Sequence, residues 1–384
     1  MQSLAKKEKI RIVHVIAALN VGGTEMMLYK LLSRMRRGRF ENIVITLKEK
    51  GELSEDFESQ NIRVYNVGGT GGVLRVSALI KSLNIFREIN PGIIQGWLAH
   101  GNLVAQIAST FLPYRLSTLW NIRYTALPKA ETKNSTLLII KLLSLLSFLP
   151  QKIIFNSKTG ANDHCKMGYR RDKSCIIPNG FDTKLFSPSM KNRRSVRLEL
   201  NIPEEAILIG LIGRFDPLKD HRCFLKAGEK LLSNKREVYF LLAGREVDWQ
   251  NRYLIQLIEK LGISGKVFLL GERRDIHRIT AALDIAACSS ISEGFPNVIG
   301  EAMSCGIPCV VTDVGDSAWI VGDSGIVVPP CNHEALCEAW QKMIELGSVK
   351  RQILGEKARE RIKNHFSIQM IVQKYEQLYE AQNH

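Results

Sequence analysis

The sequence predicts an α/β protein with two doubly wound parallel sheets, each with its own core. At 384 residues the chain exceeds the roughly 250–300 residues at which a single core stops growing. Short apolar runs alternate with helix-like segments, and the alternation restarts after the turn-rich segment 177–188 (IPNGFDTKLFSP), which has the composition of a linker. We therefore expect domains over residues 1–177 and 178–365. For residues 366–384 the sequence permits a helix that crosses back onto the first domain.

The first half of the chain alternates strand patterns with helix patterns. Its apolar runs have the length and β-branched content of buried strands, and they cover residues 10–17, 43–47, 62–67, 93–95, 116–121 and 152–156. The intervening segments with helical spacing cover residues 25–35, 73–87, 101–111, 136–149 and 158–167. Such alternation favours a parallel sheet with helices on both faces.

The second half repeats this pattern after the linker. Its predicted strands cover residues 207–213, 238–243, 267–270, 285–289, 309–312 and 325–328. Open parallel sheets bind ligands outside the carboxyl ends of their strands, so two such units facing each other would enclose a cleft. The loops that follow strands are therefore the candidate ligand sites.

The loop after the first strand contains two adjacent glycines, Gly22 and Gly23, immediately before a predicted helix. Glycines let the backbone approach a ligand closely, and the helix N-terminus beyond them offers unpaired N–H groups to an anion. An ordinary tight turn is the alternative interpretation. The spacing also differs from the G-x-G-x-x-G of a dinucleotide-binding fold.

The loop after the first strand of the second half carries two cations, Arg214 and Lys219, on a turn that contains Pro217. Arginine can grip two oxygens with its planar fork and lysine acts as a point charge, so together they suit a diphosphate. Asp220 is placed to cap the following helix. Two solvated surface charges are the alternative.

The segment 289–306 (SSISEGFPNVIGEAMSCG) places two carboxylates, Glu293 and Glu301, around a Gly-Phe-Pro-Asn turn. Asn297 is positioned to begin a helix, and Glu301 then lies one turn further along the same face. The helix N-terminus could receive a phosphate, while the two acids accept hydrogen bonds from the hydroxyls of a sugar and a ribose. A surface helix with chance acids is the alternative.

The eight cysteines form no Cys-x-x-Cys pair and no zinc-ligand spacing, which favours free thiols in a reducing compartment. Residues 1–9 are polar and charged, unlike the start of a signal peptide. We therefore expect a cytoplasmic protein with no bound metal.

The positive charge is concentrated in the first half of the chain. Residues 1–175 contain 26 Lys and Arg against 12 Asp and Glu, a net charge of +14, whereas residues 176–384 contain 27 against 26, a net charge of +1. This asymmetry suggests an anionic partner. Basic clusters such as 166–173 lack the interleaved aromatics of a nucleic-acid-binding surface, so an anionic membrane surface is favoured and nucleic acid is not expected.

The most apolar segment, residues 136–150 (TLLIIKLLSLLSFLP), falls short of the roughly 18 apolar residues expected of a membrane-spanning helix. It is either a buried core helix or an interfacial helix that rests among lipid headgroups. The second interpretation would make the protein peripheral on the inner face of the cytoplasmic membrane.

Several motifs together resemble the family-4 glycosyltransferases, which are retaining enzymes of the group 1 type with a GT-B fold. The resemblance is densest from the end of the first half onward, through IIFNS (153–157), IIPNGFD (176–182), IGLIGRFDPLKDH (209–221), LLAG (241–244), LDIAACSSISEGFPNVIGEAMSCGIPCVVTDVG (283–315) and GIVVPP (325–330). Earlier in the first half the match is looser and runs through VGGTE (21–25), WLAHGNLVAQIA (97–108) and WNIR (120–123). The first half is similar to the branch that builds bacterial surface polysaccharides, including lipopolysaccharide, or glycolipids.

The resemblance implies roles for individual residues. Arg214 and Lys219 would hold the donor diphosphate, Glu301 the ribose, and Glu293 the donor sugar, so that no metal or cofactor is required. The remaining donor-site and sugar-contacting residues implied by the resemblance are Gly22, Gly23, His100, Gly294, Phe295, Asn297 and Val298. Among these, His100 would reach the sugar from the opposite domain.

The implied reaction moves a hexose or N-acetylhexosamine from a nucleotide diphosphate sugar, with a UDP-sugar as the commonest family donor. The implied acceptor is a hydroxyl of a lipid-linked saccharide or glycolipid. The family retains the anomeric configuration without a protein nucleophile, and the departing phosphate helps to deprotonate the acceptor. The alternatives are a GT-B epimerase of sugar nucleotides, a phosphorylase, and a non-catalytic module that binds carbohydrate or membrane.

Overall fold

The computed structural model describes residues 8–48, 50–68, 76–125, 134–234 and 237–383. The chain divides into two compact units. The first unit contains the chain up to Gly180 together with the segment from Ile368 onward, and the second runs from Phe181 to Ser367. The division falls inside the predicted linker, which contains neither a helix nor a paired strand apart from an isolated bridge between Phe181 and Ser367.

The described part of the first unit contains a sheet of seven strands, all parallel to their neighbours. These strands are β1 (Ile10–Ile16), β2 (Phe40–Thr46), β3 (Arg63–Asn66), β4 (Ile93–Trp97), β5 (Ser117–Ile122), β6 (Lys152–Phe155) and β7 (Ser174–Ile176). Their order in the sheet is β3-β2-β1-β4-β5-β6-β7. Only β7 was not predicted, because it is three residues long and carries no apolar run.

Helices alternate with the strands of the first unit, and all but one of those between β1 and β7 were predicted from the sequence. They are α1 (Gly23–Leu32), α2 (Ser54–Ser59), α3 (Val76–Ile89), α4 (Leu98–Phe111), α5 (Asn134–Leu145) and α6 (Lys158–Lys166). The helix predicted over 73–87 begins at Val76 among the described residues, and its first three predicted residues lie outside them. The short helix α2 was not predicted, since Phe57 is the one apolar residue in its six.

The described residues of the second unit contain a parallel sheet of six strands. These are β8 (Ile207–Ile212), β9 (Val238–Ala243), β10 (Val267–Leu269), β11 (Ile285–Cys288), β12 (Cys309–Thr312) and β13 (Gly325–Val328). Their order is β10-β9-β8-β11-β12-β13. All six lie where the sequence predicts them, and each differs from its predicted bounds by at most one residue.

The second unit also contains helices that cover its sheet. They are α7 (Met190–Glu199), α8 (His221–Leu232), α9 (Arg252–Lys260), α10 (Ile276–Thr280), α11 (Asn297–Ser304), α12 (Ser317–Val321), α13 (His333–Glu345) and α14 (Gly347–His365). The last helix, α15 (Ile368–Gln382), belongs to the first unit.

Helix α15 packs into the core of the first unit. The rings of Tyr375 and Tyr379 are fully buried, and the Tyr379 hydroxyl donates a hydrogen bond to Gln95 Oε1 at 2.7 Å. The buried carboxylate of Glu376 accepts hydrogen bonds from the backbone N–H and the Nε of Arg36, at 2.7 and 2.6 Å. The C-terminal segment is therefore a structural part of the first unit.

Both sheets are buried on both faces, as parallel sheets normally are. Along β1, Ile12 and Ile16 join one apolar cluster while Val13 and Val15 join another, which is the period-two alternation of a strand. Strand order reverses between β1 and β4 in the first sheet and between β8 and β11 in the second. Such switch points are where open sheets bind ligands, so each unit has a candidate binding edge at the loops that follow its two switch-point strands.

Candidate active site

The loop after β8 holds Arg214 against a carboxylate of its own turn. Its Nε and Nη2 donate to Oδ2 of Asp216 at 2.9 and 2.7 Å, and the Arg214 side chain remains 60% exposed. Asp216 also accepts a hydrogen bond from the backbone N–H of Leu218 at 2.9 Å. Burial acts to raise the pKa of Asp216, but the Leu218 N–H and the Arg214 guanidinium outweigh it, so this pKa is lowered. Asp216 therefore stays ionised.

Lys219 lies at the end of the same turn and contacts Glu293, from the loop after β11. Its Nζ is 2.5 Å from Glu293 Oε1, and the same oxygen accepts a hydrogen bond from the Ser290 hydroxyl at 2.7 Å. The Lys219 side chain is 24% exposed and that of Glu293 is 13% exposed. The structure thus brings together a predicted cation and a predicted carboxylate that are distant in sequence.

Hydrogen bonds to backbone carbonyls connect the loops after β8 and β11. The Ser289 hydroxyl donates to the carbonyl of Lys219 at 2.8 Å, and the Ile291 N–H donates to the carbonyl of Leu218 at 2.8 Å. Asp220 caps α8, as predicted, by accepting from the Cys223 N–H at 3.0 Å. These hydrogen bonds hold together the two loops that carry the Lys219–Glu293 pair.

The loop after β12 packs against the backbone of Glu293. Gly315 has φ +55°, and a Cβ there would lie 2.3 Å from the Glu293 carbonyl oxygen, so only glycine fits. Its neighbour Asp316 donates its backbone N–H to the carbonyl of Gly294 at 3.0 Å. These contacts fix the loop that carries Glu293.

Helix α11 begins at Asn297, as the sequence predicts. The N–H groups of its first turn, including that of Val298, lie at the positive end of the helix dipole. Phe295 is only 7% exposed, and its ring stacks on Phe181 with centroids 6.1 Å apart. Its implied contribution is therefore its backbone amide, while Glu301 lies partly buried further along the helix.

The charges of the second unit at this switch point suit an anionic ligand. Two partly exposed cations and a helix N-terminus lie at one switch point, and each cation is paired with a carboxylate that has a further hydrogen-bond donor of its own. A diphosphate could replace the carboxylates as partner of Arg214 and Lys219 without leaving Asp216 or Glu293 unsatisfied. Within the described ranges no cluster of three His, Cys, Asp or Glu side chains is suited to bind a metal.

In the first unit, α1 begins at Gly23, with Gly22 as its N-cap. A Cβ at Gly22 would lie 2.5 Å from a carboxylate oxygen of Glu25, so this side chain folds back over the glycine. A carboxylate in the first turn of a helix is stabilised by the helix dipole. Burial nevertheless raises the pKa of Glu25, although its own backbone N–H and Arg123 oppose the change.

Arg123, whose charge acts on Glu25 in the first turn of α1, is a cation to which the sequence assigned no role. Its guanidinium lies 5.4 Å from the centre of the Trp97 ring and donates to the side-chain oxygens of Asn121 and Asn179. Burial lowers its pKa, and Tyr375 and Glu25 oppose that change. The WNIR motif was the available signal, but the partners of Arg123 come from separate segments of the chain.

His100 lies in the first turn of α4, immediately after β4 and beside the switch point of the first sheet. It is half-buried, and burial together with the charge of Lys48 lowers its pKa, so the ring is neutral near pH 7. Neither ring nitrogen has a hydrogen-bond partner in the part of the chain that the structure describes. Gly22, Gly23 and His100 thus all lie at the carboxyl edge of the first sheet.

Two family models cover most of the chain. "Glycosyltransferase Family 4" matches residues 21–185, and "Glycosyl transferases group 1" matches residues 192–361. The UDP-Gal:alpha-D-GlcNAc-diphosphoundecaprenol alpha-1,3-galactosyltransferase of Escherichia coli is 21% identical to this chain over 384 residues, which covers 97% of each protein.

Solved structures show the same fold. HepE of Anabaena in complex with UDP has a TM-score of 0.84 at 23% identity, covering 97% of this chain and 100% of HepE. WaaG, a glycosyltransferase involved in lipopolysaccharide biosynthesis, has a TM-score of 0.68 at 18% identity, covering 94% and 98%. The predicted family and fold are confirmed: the chain belongs to the family-4, group 1 glycosyltransferases, and its two units are the parallel-sheet domains of a GT-B fold.

Proposed function

We propose that this glycosyltransferase moves a hexose or N-acetylhexosamine from a UDP-sugar to a hydroxyl of a lipid-linked saccharide or glycolipid, with retention of the anomeric configuration. The observation that carries the proposal is the Lys219–Glu293–Ser290 arrangement beside Arg214 and the N-terminus of α11. This arrangement offers cations to a diphosphate and a carboxylate to sugar hydroxyls within one set of interlocked loops.

The chemistry follows from charge development on the leaving phosphate. As the bond between the sugar and the diphosphate breaks, negative charge grows on the departing oxygen, and preorganised cations and helix N–H groups stabilise it. Arg214, Lys219 and the first turn of α11 would take this role without a metal, and the backbone N–H of Gly23 would add to it. The departing phosphate would then accept the proton of the attacking hydroxyl.

The carboxylates would position the donor. Ser290 keeps Glu293 in place when Lys219 turns toward phosphate, so Glu293 can accept hydrogen bonds from the sugar. Glu301 would bind the ribose hydroxyls, and the neutral ring of His100 would meet the sugar. The backbone amides of Gly294, Phe295, Asn297 and Val298 would complete the donor site.

The acceptor class is supported by the name of the Escherichia coli relative, which acts on a diphosphoundecaprenol-linked sugar. HepE has been crystallised in complex with UDP, with UDP and glucose, and with UDP-glucose, which supports a UDP-sugar donor here. All eight cysteines are free, which fits the reducing cytoplasm as the compartment of the proposed reaction.

A transfer assay tests the proposal. The protein is incubated with a panel of UDP-hexoses and UDP-N-acetylhexosamines and a diphosphoundecaprenol-linked sugar, and the new linkage is identified by NMR. We expect an α-linked product from an α-linked donor, together with release of UDP. A β-linked product would contradict retention, and conversion of the donor without acceptor would indicate an epimerase. Product formed only with inorganic phosphate would indicate a phosphorylase.

A further inference from the structure

Helix α5 of the first unit is apolar on two opposite faces. Ile139, Ile140 and Leu143 are buried in the core behind β5 and β6. The opposite face is a stripe of leucines at spacings of three and four residues, continued by the turn that follows the helix, and we call it the apolar stripe. Its members and their exposures are Leu138 (69%), Leu142 (41%), Leu145 (74%), Phe148 (54%) and Leu149 (39%).

Such a surface needs an explanation. Single exposed leucines are common on soluble proteins, but contiguous exposed apolar patches mark binding surfaces. A helix of 12 residues is too short to cross a bilayer, which takes about 20 apolar residues. No helix among the described ranges is long and apolar enough to cross one. The stripe therefore suits a position in the plane of an interface.

The turn after α6 places positive charge directly beside the apolar stripe. The segment 166–173, which we call the basic loop, contains four cations and one carboxylate. The backbone N–H of Arg170 donates to the Ser147 hydroxyl at 3.1 Å, and Lys173 Nζ donates to the carbonyl of Pro150 at 2.8 Å. The Tyr169 hydroxyl donates to the carbonyl of Ile140 at 3.1 Å. The loop and the helix thus form one continuous surface.

The exposed cations of this surface are available to a partner. Arg170 is paired with Asp172 within the loop, but Lys166 and Arg171 are exposed and make no ion pair within the described residues, and the same holds for Lys141 on α5. Met167, 41% exposed, adds an apolar side chain between the cations. Apolar side chains that enter the acyl region, flanked by cations at headgroup level, are what an anionic lipid surface requires.

We propose that the apolar stripe and the basic loop together dock the protein on an anionic lipid bilayer, with Leu138, Leu142 and Leu145 inserted below the headgroups. The positive charge of the basic loop is complementary to the anionic headgroups, and the apolar stripe is complementary to the acyl region beneath them. A protein partner would explain the stripe but would give no reason for unpaired cations along its edge.

Vesicle sedimentation of the full chain tests this inference. The protein is mixed with phosphatidylcholine vesicles with and without phosphatidylglycerol, at low and high salt. We expect binding to the anionic vesicles that weakens with salt, because screening reduces the attraction between the basic loop and the headgroups. The assay needs neither donor nor acceptor, so a negative result leaves the transfer proposal standing.

Matched variants locate the surface. Leu145→Glu should lower vesicle affinity at least about tenfold, because it removes an inserting side chain and adds a charge that repels anionic headgroups. Leu198→Glu is the control, since Leu198 is 81% exposed on α7 of the second unit, and it should bind as the wild type does. The double variant Lys166→Gln, Arg171→Gln should lose affinity for anionic vesicles and keep its weak affinity for neutral ones.

Three results would overturn the inference. The first is a wild-type protein that does not bind anionic vesicles at low salt. The second is an equal loss of binding in the Leu145→Glu and Leu198→Glu variants. The third is a Leu145→Glu variant that binds vesicles normally but changes from dimer to monomer in light scattering, which would assign the stripe to contact between copies of this chain. Circular dichroism of each variant confirms that it is folded.

Discussion

The cations at the second switch point differ in how firmly they are held. Arg214 is 60% exposed and pairs with a carboxylate two residues away, whereas Lys219 is 24% exposed and bridges the loops after β8 and β11 through Glu293. A charge that is less exposed to solvent interacts more strongly with a neighbouring phosphate, because the effective dielectric constant around it is lower. Lys219 should therefore contribute more to transition-state stabilisation than its single charge would in water.

We expect Lys219→Ala to keep the fold and to lower turnover at least about a hundredfold, because losing one preorganised charge-stabilising group costs about 3 kcal/mol of transition-state stabilisation. Ser290 still satisfies Glu293 in this variant. The matched control is Lys230→Ala, since Lys230 lies in the last turn of α8, at the opposite end of that helix from Lys219, and forms an exposed ion pair with Glu334 at 3.0 Å. Steady-state rates of UDP release measure both variants. Near-normal turnover of Lys219→Ala would remove Lys219 from the diphosphate site.

The candidate site residues of the second unit could be predicted from the sequence, but most of the contacts between them could not. Arg214, Lys219 and Glu293 were predicted from residue type and from their positions after strands. That Lys219 meets Glu293 depends on strand order, which places β8 beside β11 although β9 and β10 intervene in the chain. Arg123 was missed because its partners Trp97 and Asn179 come from other segments.

At the scale of elements, β1 and β4 are joined by a polar contact that depends on protonation. The indole N–H of Trp97 donates to Nδ1 of His14 at 3.2 Å, and Nε2 of His14 lies 3.0 Å from Asn42 Oδ1. Because indole can only donate, Nδ1 must accept and the proton must lie on Nε2. Burial lowers the pKa of His14 from 6.5 to about 4, although its contact with Asn42 opposes the change.

The first unit should therefore lose stability as the pH falls. Between pH 6.5 and 4 the unfolded chain binds a proton at His14 and the folded chain does not, so unfolding becomes more favourable on acidification. The free energy of unfolding should fall by about 3 kcal/mol across this range through His14 alone. Denaturation followed by tryptophan fluorescence in the wild type and in His14→Gln measures it. Equal pH dependence in the two proteins would contradict the assignment.

Helix α11 depends on a glycine in its interior. A Cβ at Gly300 would lie 2.1 Å from the ring of Phe181, so Gly300→Ala must displace either the ring or the helix. Alanine improves helix propensity by about 1 kcal/mol, but overpacking a core costs about 1–3 kcal/mol, and the closeness of this contact puts the cost at the upper end.

We accordingly expect Gly300→Ala to lower the unfolding temperature and to weaken UDP binding, since the N-terminus of α11 moves with the helix. Gly265→Ala is the matched control, because nothing lies within 4 Å of a Cβ at Gly265. Thermal unfolding with and without UDP compares them. A Gly300→Ala protein as stable as the control would show that the close contact with Phe181 does not destabilise the variant.

Strands and helices with long apolar runs could be predicted from the sequence, and those with few apolar residues could not. Buried parallel strands are continuous apolar runs, so β8 and β12 could be located from sequence alone. The short elements β7 and α2 carry too few apolar residues to show a period. The helix predicted over 136–149 ends at Leu145, and the rest of the predicted segment continues as a turn. Its two apolar faces needed the structure, since the sequence could not tell a core helix from an interfacial one.

At the scale of the whole molecule, the sequence predicts a chain with two similar halves, and the structure shows two parallel sheets of seven and six strands. Fold class followed from the alternation of patterns and from the family motifs. The packing of α15 in the first unit could not be derived in the same way, because its apolar spacing is interrupted by the buried Glu376, which needs Arg36 as a partner.

The central claim is that a nucleotide diphosphate binds at the switch point of the second sheet, and hydrogen–deuterium exchange with and without UDP tests it most directly. Uridine, which lacks the diphosphate, is the control ligand. We predict that UDP, and not uridine, slows exchange of the amides in the loop 213–220 and in the first turn of α11, since bound phosphate covers their N–H groups and lowers the frequency of local opening. UDP binding that leaves both segments unprotected would contradict the account.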